Sequence, residues 1–161
     1  MTGSGRHDYA VRVYYEDTDA GGVVYHANYL RFAERARTEA LRALGLPHAT
    51  LVAENNRMLM VRRVKVDYWR PARLDEALVV ITEPLSVGGA SVTLRQSVNG
   101  PAGTCAVLEV ELACVGTGPG PAKPARLPPA WRAALAAMAA ERAAADAGAA
   151  GVDGDKARDR A

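Results

Sequence analysis

Alternating apolar and polar residues near the start of the chain predict a β-strand from Tyr9 to Asp17. Val11, Val13 and Tyr15 share one face of this strand, and polar or charged residues occupy the other face. The run DTDAGG then ends the strand, because aspartate and threonine turn the chain through their side chains and glycine accepts positive φ angles. We therefore expect a strand that leads into a tight polar turn.

A second pattern, with the period of an α-helix, predicts a helix that begins with Asn28 as its N-cap and ends near Leu44. Gly45 and Pro47 stop this helix. Its apolar stripe consists of Tyr29, Phe32, Ala33, Ala36, Ala40, Leu41 and Leu44. Because small alanine side chains let a helix lie close to a sheet, we expect this helix to be central and covered.

Four further strands are predicted after the helix, with turn sequences between them. They are Met58 to Tyr68, Ala77 to Thr82, Val92 to Val98 and Thr104 to Val115. The sequences VGG and NGPAG fit turns between neighbouring strands. A strand, a long helix and four consecutive strands predict an α+β fold, with one five-stranded antiparallel sheet packed on one long helix.

The composition predicts a single folded domain with different ends. Residues 1–8 are predicted to be disordered, and residues 9–116 to form the domain. Segment 117–161 opens with the linker GTGPGPAKPARLPP. An alanine-rich helix from Trp131 to Asp146 and a polar, disordered tail from Gly148 follow it. This interpretation makes the C-terminal segment peripheral and dispensable for stability.

Composition and charge argue against several functional classes. The net charge is only +2 over 161 residues, too small to indicate binding to nucleic acid. No apolar run approaches the roughly 20 residues of a membrane span, and the start MTGSGRHDYA lacks the apolar core of a signal peptide. Cys105 and Cys114 are predicted on opposite faces of one strand, where they cannot pair. Unpaired thiols without an export signal predict a cytoplasmic protein.

The turn and the start of the helix hold the candidate chemistry of the chain, in Asp17, Asp19 and His26. A carboxylate beside the partial positive charge of a helix N-terminus suits a general base, or a nucleophile that attacks a carbonyl. Asp19 is our candidate for this group. The alternative is that both aspartates only turn the chain and that His26 caps or packs. A metal site is disfavoured because no further histidine or cysteine has ligand spacing nearby.

A basic cluster lies in the second predicted strand and in the residues around it. It comprises Arg57, Arg62, Arg63, Lys65, Arg70 and Arg73, with the single acid Asp67 among them. Because arginine pairs well with phosphate, the cluster predicts contacts with a phosphorylated ligand. The alternative is a solvated strand face that protects a sheet edge from aggregation.

Two blocks of the sequence resemble a known family. The blocks VRVYYEDTDAGGVVYHANYLRFAERARTEALRALG and VRRVKVDYWRPARLDE are similar to the first and second blocks of the acyl-CoA thioesterases associated with the Tol-Pal system. That family belongs to the hydroxybenzoyl-CoA thioesterase branch of the hot-dog fold. The similarity extends from Tyr9 to Val115 and leaves out the alanine-rich tail.

The resemblance implies a hot-dog fold and hydrolysis of acyl-CoA thioesters without a metal or other cofactor. It implies a homodimer or homotetramer with active sites at subunit interfaces, and acyl carrier protein as a further partner. On the matched motif, the catalytic carboxylate is Asp19, the supporting tyrosine is Tyr15 and the histidine is His26. The aspartate of such enzymes is described as a nucleophile or as a general base, and both roles stay open here.

One departure from the family concerns the coenzyme. Relatives often carry a basic residue in the turn before the fourth strand, where this chain has Gly88 and Gly89. Phosphate contacts are therefore expected from Arg62, Arg63 or Lys65. A second function also stays open: a protein that recruits acyl carriers or acyl-CoA to envelope-lipid machinery with little turnover. A hot-dog dehydratase is a weaker alternative, because the HFP…PG type of motif is absent.

Overall fold

The computed structural model describes residues 2–3 and 5–156. Its strands are β1 (Thr2–Gly3), β2 (Arg6–Arg12), β3 (Arg57–Tyr68), β4 (Ala77–Val87), β5 (Ser91–Gly100) and β6 (Gly103–Gly116). Its helices are α1 (Asn28–Ala43), α2 (His48–Asn55) and α3 (Pro129–Lys156), with a short 3-10 helix at Tyr15–Asp17. The central helix and the five predicted strands are all present, so the predicted α+β fold is confirmed.

One antiparallel sheet runs through the domain in the strand order β1-β2-β4-β5-β6-β3. The long strand β3 forms one edge of this sheet and pairs with β6. The helix α1 packs on one face of the sheet, where Phe32, Ala33 and Ala36 are fully buried. Small side chains on α1 permit this close contact, as the helical pattern predicted. β1 adds a sixth strand of two residues beside β2.

The N-terminal segment is more ordered than predicted. Disorder over residues 1–8 is wrong wherever the structure describes this segment, that is, outside residues 1 and 4. β2 begins at Arg6 and pairs with β4. The predicted strand to Asp17 also ends early, at Arg12, and the 3-10 helix follows. Pairing with β4 decides where β2 begins and ends, and local alternation of residues does not show such a tertiary contact.

Two helix boundaries differ from the prediction. Ala27 occupies the cap position of α1, and Asn28 is the first helical residue. The Asn28 side-chain amide donates to the buried Asp17 carboxylate at 2.6 Å, so its polar group serves the preceding turn and not its own helix. The sequence pattern also does not predict α2, whose eight residues are too few to show a helical period. The next residue, Asn56, ends α2 in a left-handed conformation.

The C-terminal helix α3 docks on the sheet, so the prediction that this segment is peripheral is wrong. Trp131, Leu135 and Met138 are only 3%, 4% and 6% exposed. Their spacings of four and three residues place them on one face of the helix, which contacts β4. The approach is close enough that a Cβ on Gly5 would lie 2.1 Å from the backbone nitrogen of Arg142. The helix therefore belongs to the folded domain.

The helical part of the tail is also longer than predicted. α3 continues past the predicted end at Asp146 and reaches Lys156. Disorder from Gly148 onward is therefore wrong up to Lys156, and residues 157–161 lie outside the described part. Alanine has the highest helix propensity, and it outweighs the isolated glycines here. Neither α3 nor another helix among the described residues is both long and apolar enough to cross a membrane.

The two cysteines are unpaired, as predicted, and both are also buried. Desolvation raises the pKa of the Cys105 thiol and that of the Cys114 thiol above the ordinary value. Because the thiolate is the reactive form of cysteine, both side chains are unreactive near neutral pH. They act as small apolar residues of the core.

Candidate active site

Asp19 occupies the first position of the tight turn between the 3-10 helix and α1. Its carbonyl accepts the Gly22 N–H and its own N–H donates to the Val23 carbonyl, both at 3.0 Å. The carboxylate oxygen Oδ1 accepts the Gly21 N–H at 2.8 Å, a side-chain turn that aspartate favours. Gly22 has a φ of 73°, a conformation that suits glycine. The turn thus holds the Asp19 carboxylate at the surface, exposed to solvent.

The two aspartates of the motif have different environments. Asp17 is only 4% exposed. Its carboxylate accepts the Tyr14 N–H at 2.8 Å and the Asn28 side-chain amide at 2.6 Å, and its carbonyl accepts the Tyr25 N–H at 2.9 Å. Asp17 therefore has a structural role, because these hydrogen bonds hold the loop together. Asp19, which is exposed, is therefore the acid of the pair that a substrate can reach.

Asp19 and His26 line one cleft of about 370 Å³. The remaining lining residues are Val23, Val24, Tyr29, Tyr68, Trp69, Arg70 and Pro71. The cleft lies between the loop that precedes α1 and the loop that follows β3. Its wall is mainly aromatic and aliphatic, with one carboxylate, one imidazole and one guanidinium group. The structure therefore brings together two of the three predicted catalytic residues.

Hydrogen bonds between the two loops shape the cleft. The Val24 N–H donates to the Ala72 carbonyl at 2.8 Å, and the Ala72 N–H donates to the Tyr29 hydroxyl at 3.0 Å. The Tyr68 hydroxyl donates to the His26 carbonyl at 2.7 Å. Desolvation raises the pKa of Tyr29 and that of Tyr68, so both hydroxyls remain protonated at neutral pH. Hydrogen bonds between uncharged groups therefore join the two loops.

Tyr15 lies outside the cleft. Its side chain is 82% exposed, and the lining of the cleft is formed by other residues. The sequence pattern placed Tyr15 on one strand face with Asp17, but the 3-10 helix at Tyr15–Asp17 interrupts that alternation. Within one chain, the structure therefore does not bring Tyr15 to Asp19 and His26.

The three predicted phosphate-binding residues also lie away from the cleft. Arg62, Arg63 and Lys65 are exposed on the edge strand β3. Arg63 and Lys65 each form an ion pair with a nearby carboxylate, at 3.2 Å and 3.5 Å. Such exposed pairs are weak, so both cations can exchange partners. The cation that lines the cleft is Arg70, which the sequence pattern included in the basic cluster without singling it out.

The sequence of this chain is similar to those of known proteins. The sequence profile of the thioesterase superfamily matches residues 21–111. Acyl-CoA thioesterase YbgC of Haemophilus influenzae is 46% identical over 110 residues, which cover 68% of this chain and 81% of that protein. Acyl-CoA thioester hydrolase YbgC of Escherichia coli is 47% identical over 118 residues, which cover 73% of this chain and 87% of that protein.

A solved structure extends the comparison to three dimensions. The crystal structure of a probable thioesterase from Bartonella henselae superimposes with a TM-score of 0.71 at 35% identity, over 76% of this chain and 99% of that chain. The matched profile includes His26 and the loop after β3, whereas Asp19 precedes it by two residues and α3 follows it. The superposition shows that this chain and the Bartonella protein share the hot-dog fold. This chain belongs to the thioesterase superfamily.

Proposed function

We propose that this protein hydrolyses the thioester bond of acyl-coenzyme A and releases a free acid and the thiol of the coenzyme. The observation that carries the proposal is the exposed carboxylate of Asp19, which shares a cleft with His26 beside the start of α1. Membership of the thioesterase superfamily and similarity to the YbgC acyl-CoA thioesterases support this bond as the target.

Asp19 is the group that we assign to the chemical step. As a nucleophile, its carboxylate attacks the thioester carbon, expels the coenzyme thiolate and forms a mixed anhydride that water then hydrolyses. As a general base, it takes a proton from a water molecule that attacks the same carbon. Both routes consume one water and give the same products. Each requires an ionised carboxylate that the substrate can reach, and the exposed turn supports that requirement.

The start of α1 is the second part of the proposed site. His26 precedes the helix by two residues and lines the cleft. The positive end of the helix dipole stabilises negative charge that develops on the thioester oxygen. We assign the exposed His26 ring to orienting the thioester carbonyl or the attacking water.

Contacts with the coenzyme phosphates are proposed for one cation that lines the cleft and for three cations outside it. Arg70 lines the cleft itself. Arg62, Arg63 and Lys65 stand on the exposed surface of β3 and keep the role predicted for them. Arginine can donate two parallel N–H groups to one phosphate, and this geometry supports phosphate binding by the arginines of this set.

We also propose a homodimer, or a homotetramer built from dimers, that pairs through the edge strand β3. Met60 and Val61 on this strand are 43% and 50% exposed. An exposed edge with apolar residues favours pairing with another strand. Tyr15, at 82% exposure, is proposed to reach the substrate only in that assembly.

The cellular partners follow from the same chemistry. An acyl carrier protein presents a thioester like that of acyl-CoA, and we propose it as a second class of substrate. We propose a cytoplasmic location, which the two unpaired, buried thiols favour.

The decisive experiment compares Asp19→Asn with Glu16→Gln, which neutralises an exposed acid outside the cleft. Thiol release is measured with short, long and aromatic acyl-CoA substrates. We expect Asp19→Asn to lose more than about 100-fold in turnover, while Glu16→Gln stays within about twofold of the wild type. Thermal unfolding verifies that both variants are folded.

Near-normal turnover of Asp19→Asn would remove this residue from the mechanism. If the wild-type protein binds acyl-CoA but hydrolyses none of these substrates, the result would refute the hydrolase function. It would favour the alternative, a protein that only recruits acyl carriers.

A further inference from the structure

Tyr68, the last residue of β3, reaches the loop that carries His26. Its hydroxyl donates to the His26 backbone carbonyl at 2.7 Å. Its ring meets the His26 ring edge-on, at a centroid distance of 6.4 Å and an angle of 82°. The Tyr29 ring supports Tyr68 from another side, at 5.6 Å and 71°. The contact joins residues 42 positions apart, so it forms only when the domain is folded.

This hydrogen bond acts on a short stretch of chain between two other anchors. The Val24 N–H is bound to the Ala72 carbonyl, and the Asn28 N–H is bound to the Tyr25 carbonyl. The Tyr68 hydroxyl adds a third anchor on the peptide group of His26 itself. The direction of that carbonyl fixes the peptide plane from which the His26 side chain extends. The ring of His26 is exposed to solvent, and it also meets the ring of the neighbouring Tyr25, at a centroid distance of 4.6 Å and an angle of 61°.

The simplest alternative is that Tyr68 only packs. The residue is 48% exposed, so its hydroxyl contributes little to the stability of the core. A hydrogen bond at an exposed position is more informative about local geometry than about global stability. The raised pKa of Tyr68, which burial causes, keeps this donor protonated over the neutral range.

We propose that Tyr68 is a positioning residue for His26: its hydroxyl, bound to the His26 carbonyl, holds the imidazole in the orientation that the thioester requires. This inference rests on the proposed function, because it concerns the same cleft. It assigns to the end of β3 a role in the reaction that residue type and motif do not indicate.

The kinetic test uses Tyr68→Phe, which removes the hydroxyl and keeps the ring contacts. Tyr9→Phe removes a hydroxyl from β2, outside the cleft, and is the matched control. We expect Tyr68→Phe to lower kcat by about threefold to tenfold, the effect of one lost hydrogen bond. KM and the melting temperature stay near their wild-type values. Tyr9→Phe leaves kcat within about twofold of the wild type.

A double-mutant cycle separates action through His26 from direct contact with substrate. If Tyr68 acts through His26, Tyr68→Phe changes turnover by less than about twofold in a His26→Ala background. A full threefold to tenfold loss in that background would overturn the proposal. So would a variant whose KM rises while kcat is unchanged, because Tyr68 would then contact the substrate itself.

A spectroscopic test does not depend on hydrolysis. The chain contains three histidines, His7, His26 and His48, whose ring signals can be followed by NMR. Tyr68→Phe should move the His26 signals and leave those of His7 and His48 in place. Unchanged His26 signals would overturn the positioning role even if the enzyme is active. Shifted His26 signals in a protein without turnover would keep the contact and refute the hydrolase function alone.

Discussion

Asp17 and Asn28 are joined by a buried hydrogen bond of 2.6 Å from the asparagine side-chain amide to the aspartate carboxylate. The bond ties the first residue of α1 to the 3-10 helix that precedes the Asp19 turn. Both side chains are nearly inaccessible to solvent, at 4% and 5% exposure. The two aspartates of the motif, separated by Thr18, therefore have different roles, since Asp17 shapes the loop and Asp19 stays exposed.

The first prediction concerns the structural role of Asp17. Asp17→Ala leaves the part-buried Tyr14 N–H and the buried Asn28 side-chain amide without their acceptor. We expect a loss of about 2–4 kcal/mol in the free energy of unfolding, measured by urea denaturation. Glu16→Ala, at an exposed neighbouring position, should stay within about 0.5 kcal/mol of the wild type. Equal stability of the two variants would contradict the division between the acids.

The second prediction concerns the docked helix α3. Leu135 is 4% exposed and belongs to the hydrophobic core, so Leu135→Ala removes buried apolar surface and leaves a cavity. We expect a loss of about 2–4 kcal/mol in the free energy of unfolding. Glu141→Ala changes an exposed position on the same helix and should have little effect. A chain that ends at Pro128 with an unchanged melting temperature would show that α3 contributes nothing to the domain.

The third prediction concerns pH. His7 is 7% exposed, its Nδ1 has no hydrogen-bond partner, and desolvation lowers its pKa below 6.5, although Asp8 and Glu39 oppose the shift. The neutral form is therefore favoured in the fold. As the pH falls through about 6.5, the unfolded chain takes up the proton first, and stability decreases towards the lowered native pKa.

His7→Leu should remove this part of the pH dependence. The melting temperature of the wild type is expected to fall more steeply between pH 7 and pH 5 than that of the variant. At pH 8 the histidine is neutral in both states, so the difference there reports packing alone. Parallel curves for the two proteins would show that His7 does not couple stability to pH.

The sequence predicts those elements whose signal is local and periodic. The stripe from Tyr29 to Leu44 is long enough to define α1, and alternation defines the strands of the sheet. Bounds that depend on partners are missed, since Asn28 has the chemistry of an N-cap but bonds to Asp17. The stripe of Trp131, Leu135 and Met138 is present in the sequence. Alanines surround it on the helix, so the sequence shows little contrast between a buried apolar face and an exposed polar face.

The same limit applies to the candidate site. Asp19 and His26 are close in sequence, and one turn suffices to bring them to a common cleft. Tyr68 and Arg70 come from the end of β3 and reach the cleft only through the fold. Tyr15 is wrongly placed by alternation because a 3-10 helix replaces the end of the strand.

The last prediction concerns assembly through β3. Val61 is 50% exposed on this edge strand, and we expect the proposed pairing of β3 strands to cover it, so that a charge there would lose its solvation. We expect Val61→Asp to shift the protein to a monomer in light scattering and to lower turnover. Val79→Asp places the same charge on β4, away from the edge, at a position that is 38% exposed, and should leave the oligomer intact.

Mixing subunits tests whether the paired strands share the active site. In the antiparallel pair that we propose, we expect β3 of one subunit to face the Asp19 turn of the other, and a two-fold axis would make the two sites equivalent. Subunits with Asp19→Asn, mixed with subunits altered at Arg62 and Arg63, should regain part of the lost activity, because some heterodimers contain one intact site. An active monomer at assay concentration would refute this assembly, as would subunits that exchange without any recovery.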